Sequence, residues 1–467
     1  MPATKKPHTI RELRASKYKV VPIREEMRRN LVRKLQKGEK LFPGIIGFED
    51  TVIPQIENAI LAGQDMVLLG ERGQAKSRVI RALASLLDEE VPAIAGCEIN
   101  DDPYAPICRA CRDKCEEQGD MVEINWLTRE ARYAEKLATP DISIADLIGE
   151  VDPIRVAEGR YLSDELTIHY GLIPRTNRGI FSINELPDLA ERIQVGLFNL
   201  MEERDIQIKG YRIRLPLDIY VVASANPEDY TNRGRIITPL KDRYGAHIRT
   251  HYPRNSEEEV AIVEQERAQF GEIEGKVVVP QYMKEIIAEI TFLARRSADI
   301  NQRSGVSVRV SIANYESVAA NALRRGILLG EERSAPRISD LSAIVASTTG
   351  KIELESVEDG RESKIIDELT KKAVLNVFGR YFNVRDFEPV IQKFEAGLTV
   401  EAGSDMPSKD YLSKMKEMSG LSGPLGRLGA SGSPEESAAG VEFILEGLHL
   451  NRRLNRNKVE GRYIYRS

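Results

Sequence analysis

The chain has 467 residues, 42% of them hydrophobic and 30% charged, and a formal net charge of −5. This length predicts about three domains, and the negative net charge argues against a protein that binds nucleic acid over its whole length. No apolar run approaches the roughly 18 residues that cross a bilayer, and the first residues lack the apolar core of a secretory signal. Glu12, Glu25 and Glu26 argue against a transit peptide. We therefore expect a cytoplasmic protein with no membrane partner.

The first forty residues differ from the rest of the chain because they are locally basic. We predict a charged helical lead-in over residues 1–40, which Phe42-Pro43-Gly44 ends. We interpret this lead-in as an amphipathic arm that packs on a neighbouring domain. An arm that binds nucleic acid is the alternative.

From Ile45 to about Pro253, short β-rich runs alternate with helical segments, which is typical of an α/β sheet. The predicted strands are Asp65–Leu69, Ala134–Ala138, Gly179–Ile183, Asp218–Ser224 and His247–His251. After this region, apolar residues recur at helical spacing. The predicted helices there are Glu257–Ala268, Gln281–Arg296, Ser311–Arg325 and Ile338–Ser347.

A glycine-rich turn, GERGQAKS, spans residues 70–77 between the apolar run Met66–Leu69 and a helical pattern. Strand, turn and helix together predict a phosphate-binding loop, in which backbone N–H groups and a helix N-terminus face a polyphosphate. A chance glycine-rich turn is the alternative. The residues predicted to bind the nucleotide are Gly70, Glu71, Arg72, Gly73, Gln74, Ala75, Lys76 and Ser77.

Three residues of this loop carry specific expectations. Lys76 is predicted to reach the β- and γ-phosphates, and Ser77 is predicted to ligate Mg²⁺. Ala75 stands where the pattern GxxxxGKS/T has its second glycine. Its methyl group is tolerable only if the residue keeps an ordinary negative φ, and we therefore expect one.

All four cysteines of the chain lie close together, at Cys97, Cys108, Cys111 and Cys115. In a cytosolic protein, clustered thiols indicate a metal rather than structural disulfides. Four thiolates satisfy tetrahedral Zn²⁺, and an iron–sulfur cluster is a second option. Redox-active or regulatory thiols and unliganded cysteines are the remaining alternatives.

Two polar residues end the predicted strand Gly179–Ile183, namely Asn184 and Glu185. A carboxylate at the carboxyl edge of a parallel sheet lies beside the phosphates, so Glu185 is predicted to orient and polarise the attacking water. Asn184 can still accept a hydrogen bond from a Mg²⁺-bound water, but it lacks the charge of an aspartate. Because this charge is missing, we expect weaker Mg²⁺ binding or slower hydrolysis than with an aspartate at position 184. A strand that ends in a solvated acid is the alternative.

Three further residues complete the predicted catalytic set. Asn226 follows a β-branched strand and is predicted to hold the water opposite Glu185. Arg243, in the segment LKDRY, is predicted to act as an arginine finger in a neighbouring subunit, with a surface pair to Asp242 as the alternative. Arg309 opens a predicted helix and is predicted to couple nucleotide state to a lid, although arginine is common at exposed helix starts.

Together the loop, GIFSINE, ASANPEDY, LKDRY and SVRVS resemble the motifs of AAA+ ATPases, in that family's order. The resemblance implies that Lys76 and Ser77 form Walker A, and that Asn184 and Glu185 form Walker B. It likewise implies that Asn226 is sensor 1, Arg243 the finger and Arg309 sensor 2. The magnesium-chelatase subunit I and MoxR branch is the most similar, over about residues 41–350. Its marks are an insert near residues 142–177 and a hairpin over Asp205–Pro216 with a turn near Lys209-Gly210.

The fold class implied by this resemblance is an α/β P-loop parallel sheet with helices on both faces, followed by a helical lid and a helical C-terminal extension. The predicted segments are a lead-in (1–40), the nucleotide-binding domain (41–255), the lid (256–350) and the extension (351–467). Within the extension, residues 419–432 are predicted to be a glycine/serine linker or mobile loop. The helix that follows carries an apolar stripe, which is either core or a partner-docking face: Val441, Ile444, Leu445 and Leu448.

Three functions are compatible with this sequence. The first is a motor that binds ATP with Mg²⁺ and hydrolyses the ATP. This motor forms a hexamer-like homo-oligomeric ring and remodels a protein partner, as a subunit of a chelatase-like complex. That partner could carry a von Willebrand-type domain. The second is a DNA-acting motor similar to minichromosome-maintenance helicases, gripping phosphates with Lys209, Arg212 and Arg214. The third is a ring subunit that senses nucleotide without hydrolysing it, motivated by Asn184 and Ala75.

Overall fold

The computed structural model describes residues 6–157, 164–207, 214–226, 234–355, 361–418, 420–459 and 462–467. The chain divides into two compact units, Met1–His251 and Tyr252–Ser467. Each unit is built around its own apolar core. Among the described residues, no helix combines the length and the apolar character needed to cross a membrane.

The first unit alternates helices and strands along the chain. Its helices are α1 (Ile10–Ala15), α2 (Ile23–Gln36), α3 (Val52–Ala62), α4 (Lys76–Ala82), α5 (Arg109–Gln118), α6 (Ile144–Leu147), α7 (Pro153–Ala157), α8 (Leu172–Arg175), α9 (Glu191–Gly196), α10 (Phe198–Glu202) and α11 (Thr238–Arg243). Its strands are β1 (Met66–Leu69), β2 (Glu90–Ile94), β3 (Ile124–Thr128), β4 (Tyr133–Leu137), β5 (Gly149–Val151), β6 (Ile168–Tyr170), β7 (Gly179–Asn184), β8 (Asp205–Gln207), β9 (Arg214–Pro216), β10 (Ile219–Ala225) and β11 (Ala246–Arg249). Short 3₁₀ helices lie at Leu83–Leu86, Gly119–Met121, Glu130–Arg132, Glu165–Thr167 and Leu186–Asp188.

In the described part of this unit, five strands form a parallel sheet in the order β11-β1-β10-β7-β4. They are the five strands predicted from the sequence, with ends shifted by one or two residues, so the predicted α/β sheet is confirmed. Because all five run the same way, their carboxyl ends share one edge. Residues 70–77, Glu185 and Asn226 follow β1, β7 and β10 and therefore lie at that edge.

The sheet is buried on both faces, as expected of a parallel sheet that is covered by helices. Met66 and Leu68 belong to one apolar cluster, together with helices α2, α3 and α4. Val67 belongs to a second cluster, which includes Phe181 and Val221. The alternation of successive β1 residues between the two clusters follows from the period of two in a strand.

The N-terminal lead-in packs on this sheet. Helix α2 buries Ile23, Met27 and Leu31 in the same cluster as β1. Its Glu26 also forms a fully buried ion pair with Arg132, at 2.6 Å between Oε2 and Nη2. The apolar face and the ion pair together support the interpretation of the lead-in as a packing arm.

In the described part of this unit, three antiparallel strand pairs lie outside the central sheet, and the first of them is β2 with β3. β5 pairs with β6 within the predicted insert near residues 142–177. β8 pairs with β9, which agrees with the predicted hairpin at Asp205–Pro216. The predicted turn at Lys209-Gly210 and residues 158–163 of the insert lie outside the described residues.

The second unit is mainly helical. Its helices are α12 (Ser256–Glu266), α13 (Gln281–Ala294), α14 (Arg309–Leu329), α15 (Ile344–Thr348), α16 (Arg361–Tyr381), α17 (Glu388–Glu395), α18 (Ser408–Glu417), α19 (Ser422–Arg427) and α20 (Pro434–Leu450). Its 3₁₀ helices are Gly271–Lys276, Ile338–Ala343 and Val384–Phe387. Its strands are β12 (Val400–Ala402), β13 (Asn455–Val459) and β14 (Arg462–Arg466), which form an antiparallel sheet in the order β12-β14-β13.

Helix α20 packs into the core of the second unit. All four residues of its predicted stripe are buried, and Phe443 stacks on Tyr282 of α13 with ring centroids 4.6 Å apart. Ser433 caps the helix by accepting a hydrogen bond from the Glu436 amide, as its sequence predicts. The stripe is therefore part of the core.

The prediction of a linker or mobile loop over residues 419–432 is wrong for the residues that the structure describes there. Helix α19 occupies Ser422–Arg427, and Leu421, Leu425 and Leu428 are buried in the core of the unit. The glycine and serine content favoured a linker, but leucines three and four residues apart give one apolar face. Burial of that face outweighs the low helix propensity of glycine.

Candidate functional site

The glycine-rich loop joins β1 to α4, which begins at Lys76. Gly73 and Ala75 both adopt the left-handed conformation, with φ of 76° and 54°. The expectation of a negative φ at Ala75 is therefore wrong. The loop requires the conformation of its usual glycine, and a methyl group in this conformation costs about 1–2 kcal/mol.

At Gly70 the backbone passes close to two neighbouring side chains. A Cβ built on Gly70 would lie 1.9 Å from Oγ1 of Thr250 and 2.2 Å from Oε1 of Gln74. Those two side chains hydrogen bond to each other, Thr250 Oγ1 to Gln74 Oε1, at 2.7 Å. Thr250 follows β11 and was not among the residues predicted for the nucleotide site. A cleft of about 610 Å³ opens beside these residues and is also lined by Glu71 and Arg249.

The Lys76 side chain is buried and points back across the loop. Its ammonium donates hydrogen bonds to the Gly70 carbonyl, to the Glu71 carbonyl at 2.8 Å and to Oδ1 of Asn226 at 2.6 Å. Phosphate oxygens are acceptors of the same kind, so they can exchange with these partners. The lysine is therefore positioned for a phosphate at the loop.

Glu185 and Asn226 lie together at the sheet edge, as predicted. The Asn226 amide donates from Nδ2 to Oε2 of Glu185 at 2.7 Å, while its Oδ1 accepts from Lys76. Glu185 has a left-handed backbone with φ of 55°, and its N–H donates to Oγ of Ser224 at 3.3 Å. Strained backbone that is held in place by its surroundings is common at functional sites. A carboxylate, an amide and an ammonium thus form one hydrogen-bonded chain.

Asn184 brings a residue into the site that the sequence did not identify. Its Nδ2 donates to Oε1 of Glu135 on β4, and its Oδ1 accepts from Ser224 at 3.1 Å. Arg81 on α4 holds the same carboxylate from the other side, at 2.7 Å and 2.9 Å. That hydrogen bonding lowers the pKa of Glu135. Position 184 therefore has an ionised carboxylate next to it, although it carries no charge itself.

Arg243 ends α11 and contacts its own chain. The guanidinium forms an ion pair with Glu202, donates to the Pro239 carbonyl at 2.8 Å and lies 4.6 Å from the ring centroid of Phe198. Its ion-pair partner is thus Glu202 rather than Asp242. Because the Glu202 carboxylate is exposed, this ion pair by itself contributes about 0–1 kcal/mol.

The remaining predicted residues are less informative. Arg309 is the first residue of α14 in the second unit and is exposed. Arg214 on β9 is exposed and lies 3.6 Å from Asp205. Lys209 and Arg212, predicted for the DNA-binding alternative, lie outside the described residues.

The donor set suits a magnesium nucleotide. The loop offers backbone N–H groups at the start of α4, a buried ammonium on Lys76 and the half-buried hydroxyl of Ser77. Hydroxyl, amide and carboxylate oxygens, which Mg²⁺ prefers, are supplied by Ser77, Asn184 and Glu135. These residues fit Mg²⁺ with ATP at the sheet edge.

The cysteine segment is a second cluster in the first unit. Sγ atoms of Cys97, Cys108 and Cys111 and a carboxylate oxygen of Asp101 lie within 4.8 Å of one another. Cys115, the fourth predicted ligand, is half-buried and is not a member of this group. Sequence spacing identified three of the four residues and missed Asp101.

No model of a protein family matches the chain. It is 24% identical over 372 residues to magnesium-chelatase subunit ChlI of a Nostoc species, covering 74% of this chain and 91% of that protein. Over 225 residues it is 28% identical to the magnesium-chelatase 38 kDa subunit of Cereibacter sphaeroides, covering 48% of this chain and 62% of the relative. A ChlI homolog of Methanocaldococcus jannaschii is 29% identical over 209 residues, covering 44% of this chain and 53% of the relative.

Among solved structures, a chain from the complex between subunits BchI and BchD of magnesium chelatase is 19% identical, with a TM-score of 0.35. That match covers 69% of this chain and 98% of the solved one. In sequence, the chain is thus similar to the I subunit of magnesium chelatase and resembles AAA+ ATPases in its motifs.

Proposed function

We propose that the chain binds ATP with Mg²⁺ at the carboxyl edge of the central sheet and hydrolyses it to ADP and phosphate. The observation that carries this proposal is the hydrogen-bonded chain from Lys76 through Asn226 to Glu185. It places a positive group for the phosphates, an amide and a carboxylate within one network.

Each residue of this hydrogen-bonded network has a distinct role in the proposed hydrolysis. Glu185 accepts a hydrogen bond from the attacking water and polarises it, and Asn226 holds the water from the other side. Lys76 and the N-terminus of α4 stabilise negative charge on the phosphates. Bound Mg²⁺ would neutralise charge on the β- and γ-phosphates, and Ser77 would ligate it.

Glu135 is part of the same proposal. Asn184 stands at the Walker B position without charge, and Glu135 brings an ionised carboxylate against it from the neighbouring strand. We infer that Glu135 supplies the negative charge that an aspartate at position 184 would carry, by accepting hydrogen bonds from metal-bound water.

The test of hydrolysis is Glu185→Gln, with Glu117→Gln as the matched control because Glu117 is exposed on α5. We expect Glu185→Gln to bind ATP normally while its turnover falls by about 10² or more, because the general base is lost. Glu117→Gln should turn over like the wild type. Wild-type protein that binds ATP without turnover would instead support the nucleotide-sensing alternative.

The partner and assembly are further parts of the proposal. By similarity to magnesium-chelatase I subunits and the MoxR branch, we propose a cytoplasmic homo-oligomeric, hexamer-like ring that remodels a protein partner, which could carry a von Willebrand-type domain. The insert near residues 142–177 and the hairpin Asp205–Pro216 are the proposed contacts. Pull-down with Glu185→Gln and ATP should retain this partner. Turnover stimulated by single-stranded DNA, and lost in Lys209→Ala and Arg212→Ala, would favour the DNA-acting alternative.

A further inference from the structure

In the segment between β2 and β3, three cysteine side chains and one aspartate side chain lie close together. Sγ of Cys97 and Sγ of Cys108 lie 4.0 Å apart, and all four donor atoms of the Cys97, Asp101, Cys108 and Cys111 group are mutually within 4.8 Å. A tetrahedral zinc ion with Zn–S bonds of about 2.3 Å separates its sulfurs by about 3.8 Å. The cluster therefore has nearly the size of a single-ion site.

Asp101 supplies the observation that points to a ligand. Its side chain is fully buried, and Oδ2 accepts hydrogen bonds from the backbone N–H groups of Ile107 and Cys108 at 3.1 Å and 3.0 Å. Among the described residues, its other oxygen, Oδ1, is buried and has no hydrogen-bond partner. A buried carboxylate oxygen without a partner costs free energy unless a cation or a donor meets it.

Backbone N–H groups also support the sulfurs. The Asp101 amide donates to Sγ of Cys97 and the Cys111 amide donates to Sγ of Cys108, both at 3.4 Å. Cys108 is the N-cap of α5, so its thiolate also lies at the positive end of a helix. Such contacts stabilise thiolates, which are the form of cysteine that binds metal.

We propose that Cys97, Asp101, Cys108 and Cys111 bind one structural Zn²⁺ ion. Three thiolates and one carboxylate complete a tetrahedral shell, which leaves no open position for substrate water. The ion fastens the start of α5 to the chain that leaves β2. An iron–sulfur cluster is larger than a single ion and holds its sulfurs farther apart, so this tight group favours zinc.

Cys115 gives a matched control for the experiment, because it lies one helical turn after Cys111 and outside the group. Full-length protein is purified with a reductant and without chelator, and its metals are measured by mass spectrometry. We expect about one zinc per chain in the wild type and in Cys115→Ser, and at least a roughly tenfold loss of zinc in Cys111→Ser. Protein that holds no zinc and takes up none on addition, or that holds iron and sulfide instead, overturns the proposal. Equal loss in both serine variants does so too.

A second measurement remains decisive if Cys111→Ser does not fold. Cobalt(II) replaces zinc in the wild type, and thiolate ligation gives a sulfur-to-cobalt charge-transfer band with tetrahedral ligand-field bands. We expect Asp101→Cys to bind cobalt as well and to show a stronger charge-transfer band, because a fourth thiolate replaces the carboxylate. A wild-type spectrum without the band, or an Asp101→Cys band of unchanged strength, contradicts ligation by this group.

Discussion

Ala75 shows how a single residue can depart from a motif without changing its geometry. The loop holds Ala75 at φ of 54°, the conformation that glycine adopts without steric cost. The strand before the loop and the helix after it fix this backbone, so the side chain has to accept it. The departure therefore appears as strain in the folded protein rather than as a different loop.

We expect Ala75→Gly to relieve this strain and to raise the free energy of unfolding of the first unit by about 1 kcal/mol or less, because glycine also has more freedom in the unfolded chain. Ala82→Gly is the control, since Ala82 has an ordinary helical φ of −67°. That change should lower stability by about 1 kcal/mol. Denaturant unfolding measures both. Equal destabilisation by the two glycines would show that the loop is unstrained.

Glu135 compensates for the missing charge at Asn184, in our proposal, and this role can be separated from its ion pair with Arg81. We expect Glu135→Gln to raise the Mg²⁺ concentration for half-maximal turnover by about tenfold, which is about 1.4 kcal/mol. Arg81→Gln breaks the same ion pair but keeps the carboxylate, so its Mg²⁺ requirement should not rise. Asn184→Asp added to Glu135→Gln should restore Mg²⁺ binding. If the two single variants behave alike, the carboxylate acts only through its ion pair.

Helix α2 illustrates how an element outside the predicted nucleotide-binding segment becomes part of its unit. The helix contributes an apolar face and the Glu26 carboxylate, which accepts two hydrogen bonds from Arg132 and one from the Asp88 amide. Both charged side chains are almost fully buried. Removing one partner leaves the other charge buried without compensation.

We expect Glu26→Gln to lower the free energy of unfolding by about 3–5 kcal/mol, because the Arg132 guanidinium would stay buried without its counter-charge. The matched control is Glu25→Gln on the same helix, whose ion pair with Arg28 is exposed. That change should cost about 0.5 kcal/mol or less. Both values come from urea unfolding followed by circular dichroism. A Glu26→Gln variant as stable as the control would mean that water reaches Arg132.

At the scale of the whole molecule, the chain consists of two units with separate cores. The proposed chemistry of Lys76, Glu185 and Asn226 belongs to the first unit. Arg243 lies in that unit as well, but it is held by Glu202 and not by the nucleotide loop. An arginine finger in this protein would therefore act on the site of another subunit.

The trans role of Arg243 predicts complementation between two inactive proteins. Arg243→Ala subunits should bind ATP and assemble, yet fail to hydrolyse alone, and the same holds for Glu185→Gln. In the proposed rings, mixed at random from the two variants, about a quarter of the interfaces combine an intact Glu185 with an intact Arg243, so about a quarter of the wild-type turnover should return. Asp242→Ala should leave turnover unchanged. Mixed subunits that stay inactive, or Arg243→Ala that turns over normally, would refute the finger.

The sequence by itself determined the central sheet, because each strand carries a local apolar pattern that needs no knowledge of its neighbours. It also placed Lys76, Glu185 and Asn226 at one edge, since parallel strands share their carboxyl ends. The capped helix α20 was likewise readable, from Ser433 and the apolar stripe. The small sheet β12-β14-β13 was missed because its strands are only three to five residues long.

Only the tertiary structure decided which distant residues complete these sites. Glu135 meets Asn184 because β4 and β7 pair in a register that no local pattern encodes. Asp101 joins three cysteines in place of Cys115 because the loop after β2 folds back onto the start of α5. The left-handed backbone of Ala75 is likewise imposed by the strand and helix at either end. Local sequence patterns determined the strands of the central sheet and helix α20, whereas contacts between residues far apart in the sequence determined which side chains meet at each site.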